Sequence, residues 1–453
     1  MNLETEKDSE APKTSLLDGQ KVTLANELPP ELLVHIFEMA QNIFFPLDQH
    51  LFWRFPFVLG KVSRYWRQVA YGAPTLWSNV DISPRRDLGG LQVYLGRSKE
   101  SPIDLHLTYS TPAPLSQAGV STFIGILQPH YRRCRSIRVT SENSHKFTME
   151  ISSILGSMCK GHYPVLQHMC VDGFDISMDV QPFAIVADAV NLTSVRSRGL
   201  GLSHCRPPHT AVTQLHLAVS KHPILYADFS KMLRACWSLV TLCVYDDFID
   251  EWPDLHDTYD MPFLRYIRIF GDMLGVSQLL LSISAPDLEG LTIAPIVKND
   301  LIKLERETSN APRFPALKSL TALAPAHAGV LGLRAVAVAD ACFPGIKLLI
   351  LPNYIKLSFA ESFKPTDSRP FWPELDGLAI RDIDDESVYK FVQDRQRLGV
   401  PLRLLYLDPL SMSRLTRMDW LKDQLSVVEA DPWKIQCEDN FYRDAETRFL
   451  GAA

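Results

Sequence analysis

Between residues 134 and 407 one pattern recurs at repeat-like intervals: an apolar residue, another three positions later and a third two positions after that. The copies start at Cys134, Leu166, Val212, Leu239, Leu264, Leu288, Leu317, Ile346, Leu375 and Leu402, and Leu192/Val195 is a degraded copy with Ser197 in third place. In an extended segment the last two members of each triplet point to the same side, so each copy reads as a short strand with one buried face. One such strand buries too little to stand alone, so the copies must stack on one another. From Leu239 onward the first positions are 24 to 29 residues apart, room for a strand, a turn and a return segment. Lead-ins such as FPAL, FPGI and WPEL place Pro just ahead of the strand, which stops a preceding helix and enforces an extended approach.

Composition narrows the function classes. The chain has 453 residues, 46% of them hydrophobic, enough for a substantial core. Its formal charge of −6 gives no electrostatic footprint for nucleic acid. No apolar run reaches the roughly 18 residues of a membrane span, so no membrane partner is expected. The eight Cys form no CxxC pair and the N-terminus is polar, which points to a reducing compartment, cytoplasmic or nuclear. The Asn191-Leu192-Thr193 sequon then has no meaning. No phosphate-binding loop, HExxH, GxSxG or kinase motif is present, so the expectation is a protein that is not an enzyme and has no cofactor. His204, Cys205 and His209 stand close together without a second ligand pair, so no metal is expected. The acidic run YDDFIDEWPDLHDTYD lacks the Gly and the spacing of a calcium loop.

The triplet pattern and its period resemble leucine-rich repeats, although the positions after the strands hold Asp247, Asp272, Ile296, Pro325 and Tyr354 rather than an Asn ladder. The resemblance implies an irregular solenoid over residues 83–410 with a parallel sheet on its concave side, followed by a C-terminal cap and tail at 411–453. The competing reading is an α/β domain whose strands are simply buried. In a solenoid the residues between the apolar anchors face the concave side, and the recognition-prone types there are Arg138, Arg196, Arg198, His216, Tyr245, Tyr266 and Arg268. These are the candidate substrate-binding residues. The run HYRRCRSIR adds Arg132, Arg133 and Arg135 beside Arg138, a cluster suited to an acidic or phosphorylated segment.

Residues 1–22 are polar and read as a disordered leader. After them comes LPPELLVHIF, where Pro29 and Pro30 suit a helix start and Leu32, Leu33, Ile36, Phe37 and Ala40 share one side. A second helix is expected over Phe57 to Ala70, and PTLW closes the block. LPPELLVHIF, VSRYWRQVA and PTLW together resemble an F-box, with Leu28, Pro29, Glu31, Leu32, Leu33, Ile36 and Phe37 in the first part and Val62 and Trp66 in the second. Ser63 stands where many members have Cys, and the connector NIFFPLDQHLFWRFP is long and aromatic. The resemblance implies an α/β chain with a short helical F-box-like module at 23–82, docked through Leu28, Pro29, Leu32, Ile36, Phe37, Val62 and Trp66 onto a Skp-type adaptor. The chain would then be the substrate-recognition subunit of an SCF, cullin-based ubiquitin ligase acting on an unknown protein substrate. The alternative is a repeat scaffold on which these helices serve only as a cap.

Overall fold

The computed structural model describes residues 28–44, 54–82, 88–109, 117–141, 149–172, 189–198, 210–218, 223–245, 248–253, 257–270, 275–294, 296, 301–307, 312–323, 333–352, 363, 369–381, 383–432 and 435. The leader, residues 45–53 of the connector, the His204/Cys205/His209 stretch and the last 18 residues of the tail, 436–453, lie outside them.

Sixteen strands occur among the described residues: β1 (Asn79–Ile82), β2 (Ile103–Tyr109), β3 (Cys134–Ser141), β4 (His168–Asp172), β5 (Ser194–Arg198), β6 (Gln214–Ala218), β7 (Thr241–Tyr245), β8 (Tyr259–Asp260), β9 (Tyr266–Phe270), β10 (Ile283–Ser284), β11 (Gly290–Ala294), β12 (Ser319–Ala322), β13 (Leu348–Leu351), β14 (Gly377–Ile380), β15 (Leu404–Leu407) and β16 (Ser426–Glu429). Fourteen form one parallel sheet in chain order, while β8 and β10 pair with each other in a small separate ladder. Parallel neighbours need a crossover between them, and strands taken strictly in sequence mean that the chain advances one repeat at a time. The fold is therefore a mixed α/β solenoid of the leucine-rich-repeat kind with a helical N-terminal part.

The triplets account for its spine. Leu215, Leu242, Ile267, Leu291, Leu320, Leu349, Leu378 and Leu405 sit opposite one another in register and are buried. The backbone ladder starts one residue before the strands, where Glu289 N–H donates to Arg265 C=O, Lys347 to Lys318 C=O and Arg403 to Asp376 C=O, each at 2.8 Å. The sheet also runs past both ends of the 83–410 span, through β1 and β16.

Three arginines point into this core. Arg133 donates from Nη1 to Ser98 Oγ and Ser101 C=O, and from Nη2 to Leu95 C=O. Arg313 Nη2 serves the carbonyls of Leu281 and Ile283. Arg395 Nη1 donates to Phe371 C=O, and its Nη2 to the carbonyls of Trp372 and Leu375. Burial lowers the Arg395 pKa only to about 10, so it stays charged at neutral pH. Its position has a reason: Trp372 adopts φ +44, a left-handed conformation unfavourable for a bulky side chain. That turn is pinned by Trp372 N–H to Asp340 Oδ1 (2.7 Å), by the indole N–H to Phe343 C=O (3.0 Å) and by Arg395. Arg395→Ala is expected to cost on the order of 3 kcal/mol, since it takes the side-chain donor from the carbonyls of Phe371 and Leu375 and leaves Trp372 C=O with Leu375 N–H alone, around a strained turn. Denaturant titration checks this, and a loss below about 0.5 kcal/mol would show that the turn does not depend on Arg395.

Candidate functional site: an exposed helical face and a polar row on the sheet

The N-terminal module is built from α1 (Pro30–Phe44), α2 (Phe55–Leu59), α3 (Arg64–Gly72) and a 3-10 turn at Pro74–Trp77. Where one helix is expected over 57–70 the chain makes two. Ser63 is extended and its side chain accepts from Trp66 N–H at 3.1 Å, capping a new helix start after Gly60-Lys61-Val62. A Cβ at Gly60 would lie 2.8 Å from Tyr71 Oη, so a larger residue there has to push the Tyr71 ring aside.

α1 has two apolar faces. Leu33 and Phe37 are buried and share one continuous core with Leu59, Val69, Leu76, Trp77 and Val80 and with the strands beyond. Leu32 (53% exposed), Ile36 (46%) and Met39 (54%), at i, i+4 and i+7, face solvent, as do Val58 and Val62 (59%) on and just after α2. Pro29 is exposed, and Leu28 is half-buried with its C=O accepting from Tyr65 Oη at 2.7 Å. Trp66 is half-buried, its ring 4.9 Å from that of Phe37. Of the seven residues expected at an adaptor contact, Phe37 is the correction: at 1% exposure it belongs to the core, because the helix turns it towards α3.

Trp77 joins module to sheet. Its indole N–H donates to Ala70 C=O at 2.9 Å, and its ring meets those of Phe57, Tyr71 and Tyr94 edge-on at 5.0 to 5.5 Å. The Arg97 guanidinium, on α4 (Leu88–Arg97), lies 4.0 Å from the Tyr71 ring centroid and 4.6 Å from that of Trp77.

On the sheet face turned away from the helices, strand register sets Asp81, His106, Arg138, Cys170, Arg196, His216, Cys243 and Arg268 in one row across β1 to β9. The row before it holds Ser136, His168, Ser194, Gln214, Thr241 and Tyr266. The row after it contains Ala218, Tyr245, Phe270 and Ala294, which with Cys243 and Leu323 make a second apolar cluster. Tyr245 and Phe270 stack there at 5.1 Å, with His216 6.4 Å from Tyr245 on the other side.

So the expected substrate-binding residues do share this face, yet at different depths. Arg138 and Arg268 are half-buried and Tyr266 is exposed. Arg196 (6% exposed), His216 (3%) and Tyr245 are buried, which corrects the expectation that they stand open to a partner. Arg196 Nη2 lies 3.8 Å from Asp172 Oδ2, and Tyr245 is sealed by its stacked neighbours. Arg198 occupies the last position of β5, with its side chain outside the description.

The basic run does not form a cluster. Arg132 is exposed beside Glu100, Arg133 is the buried clamp described above, Arg135 pairs with Asp104, and only Arg138 reaches the outer face. The strand begins inside the run and a bulge between Ile103 and Asp104 shifts its register, so consecutive arginines leave in different directions. In the acidic run, Asp257 pairs with Arg234.

Burial, and then Arg138, lowers the His106 pKa to about 3, with Asp81 3.8 Å from its Nδ1. Burial, and then Arg196 and Arg268, takes His216 well below its ordinary value. Both rings are neutral in the folded protein at neutral pH and gain a proton on unfolding below about pH 6.5. Each therefore contributes stability that is full above that pH and declines as pH falls towards the folded pKa, by up to ~1.4 kcal/mol per pH unit. Urea titrations from pH 7 to 4 check this: His106→Gln is expected to flatten the decline, and an unchanged slope would exclude His106 as its source.

Among the described residues no group of His, Cys, Asp or Glu is arranged to hold a metal, and no helix is long and apolar enough to cross a membrane. No protein-family model matches the chain and no curated protein matches it. Among solved structures, a leucine-rich-repeat protein of Leptospira interrogans overlaps 79% of this chain and 97% of its own at 10% identity and a TM-score of 0.22. The repeat assignment rests on the strand order itself.

Proposed function

We propose that the chain is the substrate-recognition subunit of an SCF-type ubiquitin ligase, acting in the cytoplasm or nucleus, with no catalytic chemistry of its own. The helical module docks a Skp-type adaptor, and the repeat arc holds a protein substrate. Tethering then raises the local concentration of substrate lysines near a ubiquitin-charged enzyme. The observation that carries this reading is the second apolar face of α1. Leu32, Ile36 and Met39 stay in solvent although Leu33 and Phe37 of the same helix already tie it to the core. An exposed apolar stripe on a helix is the mark of a missing partner.

The continuity of Leu33, Phe37 and Trp77 with the sheet supports a second reading, in which the module is only the solenoid's N-terminal cap. A pure cap has no use for the outward stripe, so adaptor binding separates the two. The full chain and a Leu32→Asp/Ile36→Asp variant are co-expressed with a Skp-type adaptor, and equal recovery of adaptor with both would sink the ligase reading.

A further inference from the structure

We propose that the rim of the arc at Trp237 and Phe263, beside the acidic run, receives a basic segment of the partner protein, one Arg or Lys of which rests on the two rings and pairs with Asp260. This rests on the reading of the arc as the part that holds the partner. Trp237 (54% exposed) and Phe263 (49%) occupy the tips of the turns that lead into the neighbouring strands β7 and β9. Leu239 N–H donates to Cys236 C=O and Leu264 N–H to Met261 C=O, so both tips are pinned, while Leu239 and Leu264 behind them are buried. The two rings meet edge-on at 6.0 Å. Large rings held in water on pinned turns are a ready contact surface, of the residue types that dominate protein interfaces.

Charge selects the occupant. Residues 245–260 hold seven carboxylates and no Lys or Arg. Among the described residues of that run, Asp250, Glu251 and Asp260 are exposed and make no ion pair. The chain's own Arg234 shows how this strip takes a cation. Its guanidinium, on the helix Tyr226–Ala235, pairs with Asp257 and lies 5.8 Å from the Tyr259 ring centroid. One carboxylate and one ring thus hold a cation between them. Asp260 and Phe263 repeat that combination at the Met261–Leu264 turn, three residues and so at most about 10 Å apart along the backbone, with Trp237 against Phe263. Indole offers the strongest ring face for a cation, and the charge of the run repels an acidic segment. Asp250 and Glu251 add to the field that steers a basic segment towards the rim.

The test uses the full chain and fluorescein-labelled peptides of about twelve residues, one Arg-rich and one with Glu in place of Arg, read by anisotropy at fixed ionic strength. The Arg peptide is expected to bind and the Glu peptide not. Trp237→Ala is expected to weaken binding at least ~10-fold and Asp260→Asn ~3- to 5-fold. Asp423→Asn, at an exposed carboxylate of the helix Met418–Gln424 far along the sheet, changes the net charge equally and is expected to leave binding unchanged. Equal binding of the two peptides, undiminished binding by Trp237→Ala, or a loss with Asp423→Asn as large as that with Asp260→Asn overturns the proposal. So does a dimer in sedimentation that Trp237→Ala dissociates, which would give the rim to a second copy of the chain. If circular dichroism shows that Trp237→Ala unfolds the chain, Trp237→Leu carries the same comparison, because leucine keeps apolar surface and offers no ring face. Adaptor capture is measured on the same preparations. Adaptor bound without Arg peptide refutes this inference alone, and Arg peptide bound without adaptor refutes the ligase reading alone.

Discussion

Leu32→Asp together with Ile36→Asp is expected to reduce capture of a Skp-type adaptor at least ~100-fold while shifting the melting temperature by no more than a degree or two. Both side chains are about half exposed in the free chain, so replacing them removes little of the fold's own packing. In a bound state the same side chains would be desolvated, and an aspartate there is a buried charge without a partner. Two central contacts at about 2 kcal/mol each amount to roughly 1000-fold if additive, so the stated minimum allows for their non-additivity. Leu33→Asp is the contrasting control. Leu33 is 1% exposed inside the shared core, so its replacement should destabilise the module itself, and adaptor loss there would follow unfolding. Unchanged capture by the Leu32/Ile36 variant in a folded chain would leave the outward stripe without a role in docking.

Trp77→Ala should be the most damaging single change at the junction of module and sheet, at about 3 to 5 kcal/mol. The substitution removes a fully buried indole, its hydrogen bond to Ala70 C=O, three ring contacts and the platform on which the Arg97 guanidinium rests. Repeats contact only their neighbours, so the damage is expected to stay local. Hydrogen exchange should speed up in α1, α3 and β1 and remain native-like from β9 onward. Uniform loss of protection along the sheet would mean that the solenoid melts as one unit and that the junction is not a separable element.

The strands were legible because alternation is a physical requirement of a half-buried strand, and each triplet records it. β2 escaped the triplet because its leading residue, Ile103, which pairs with Cys134, stands two rather than three positions ahead of Leu105, the difference being the bulge. β16 escaped because Gln424 falls where Leu402 stands in the preceding copy. Alternation tells which face a residue joins and not how deep it lies. That is why the row of Arg138, Arg196, His216 and Arg268 could be read in advance, whereas the burial of Arg196, His216 and Tyr245 could not. Arg133 reads as one of a basic run in the sequence, and nothing in the sequence singles out Arg395. Their partners are main-chain carbonyls of other turns, which no local pattern announces. The split between α2 and α3 was signalled by Ser63, a helix-capping residue type in the middle of an otherwise periodic stretch.

The strict agreement between strand order and chain order bears on how the protein is made. Each strand of the large sheet pairs with the one laid down before it, so no segment waits for a distant one to be synthesised. As the chain leaves the ribosome, the helical module, β1 and β2 can close before the strands that follow them, and β16 joins after the other described strands of the sheet. The outward stripe of α1 would thus be complete while most of the arc is still being translated, and an adaptor present at that moment could shield it from nascent chains nearby.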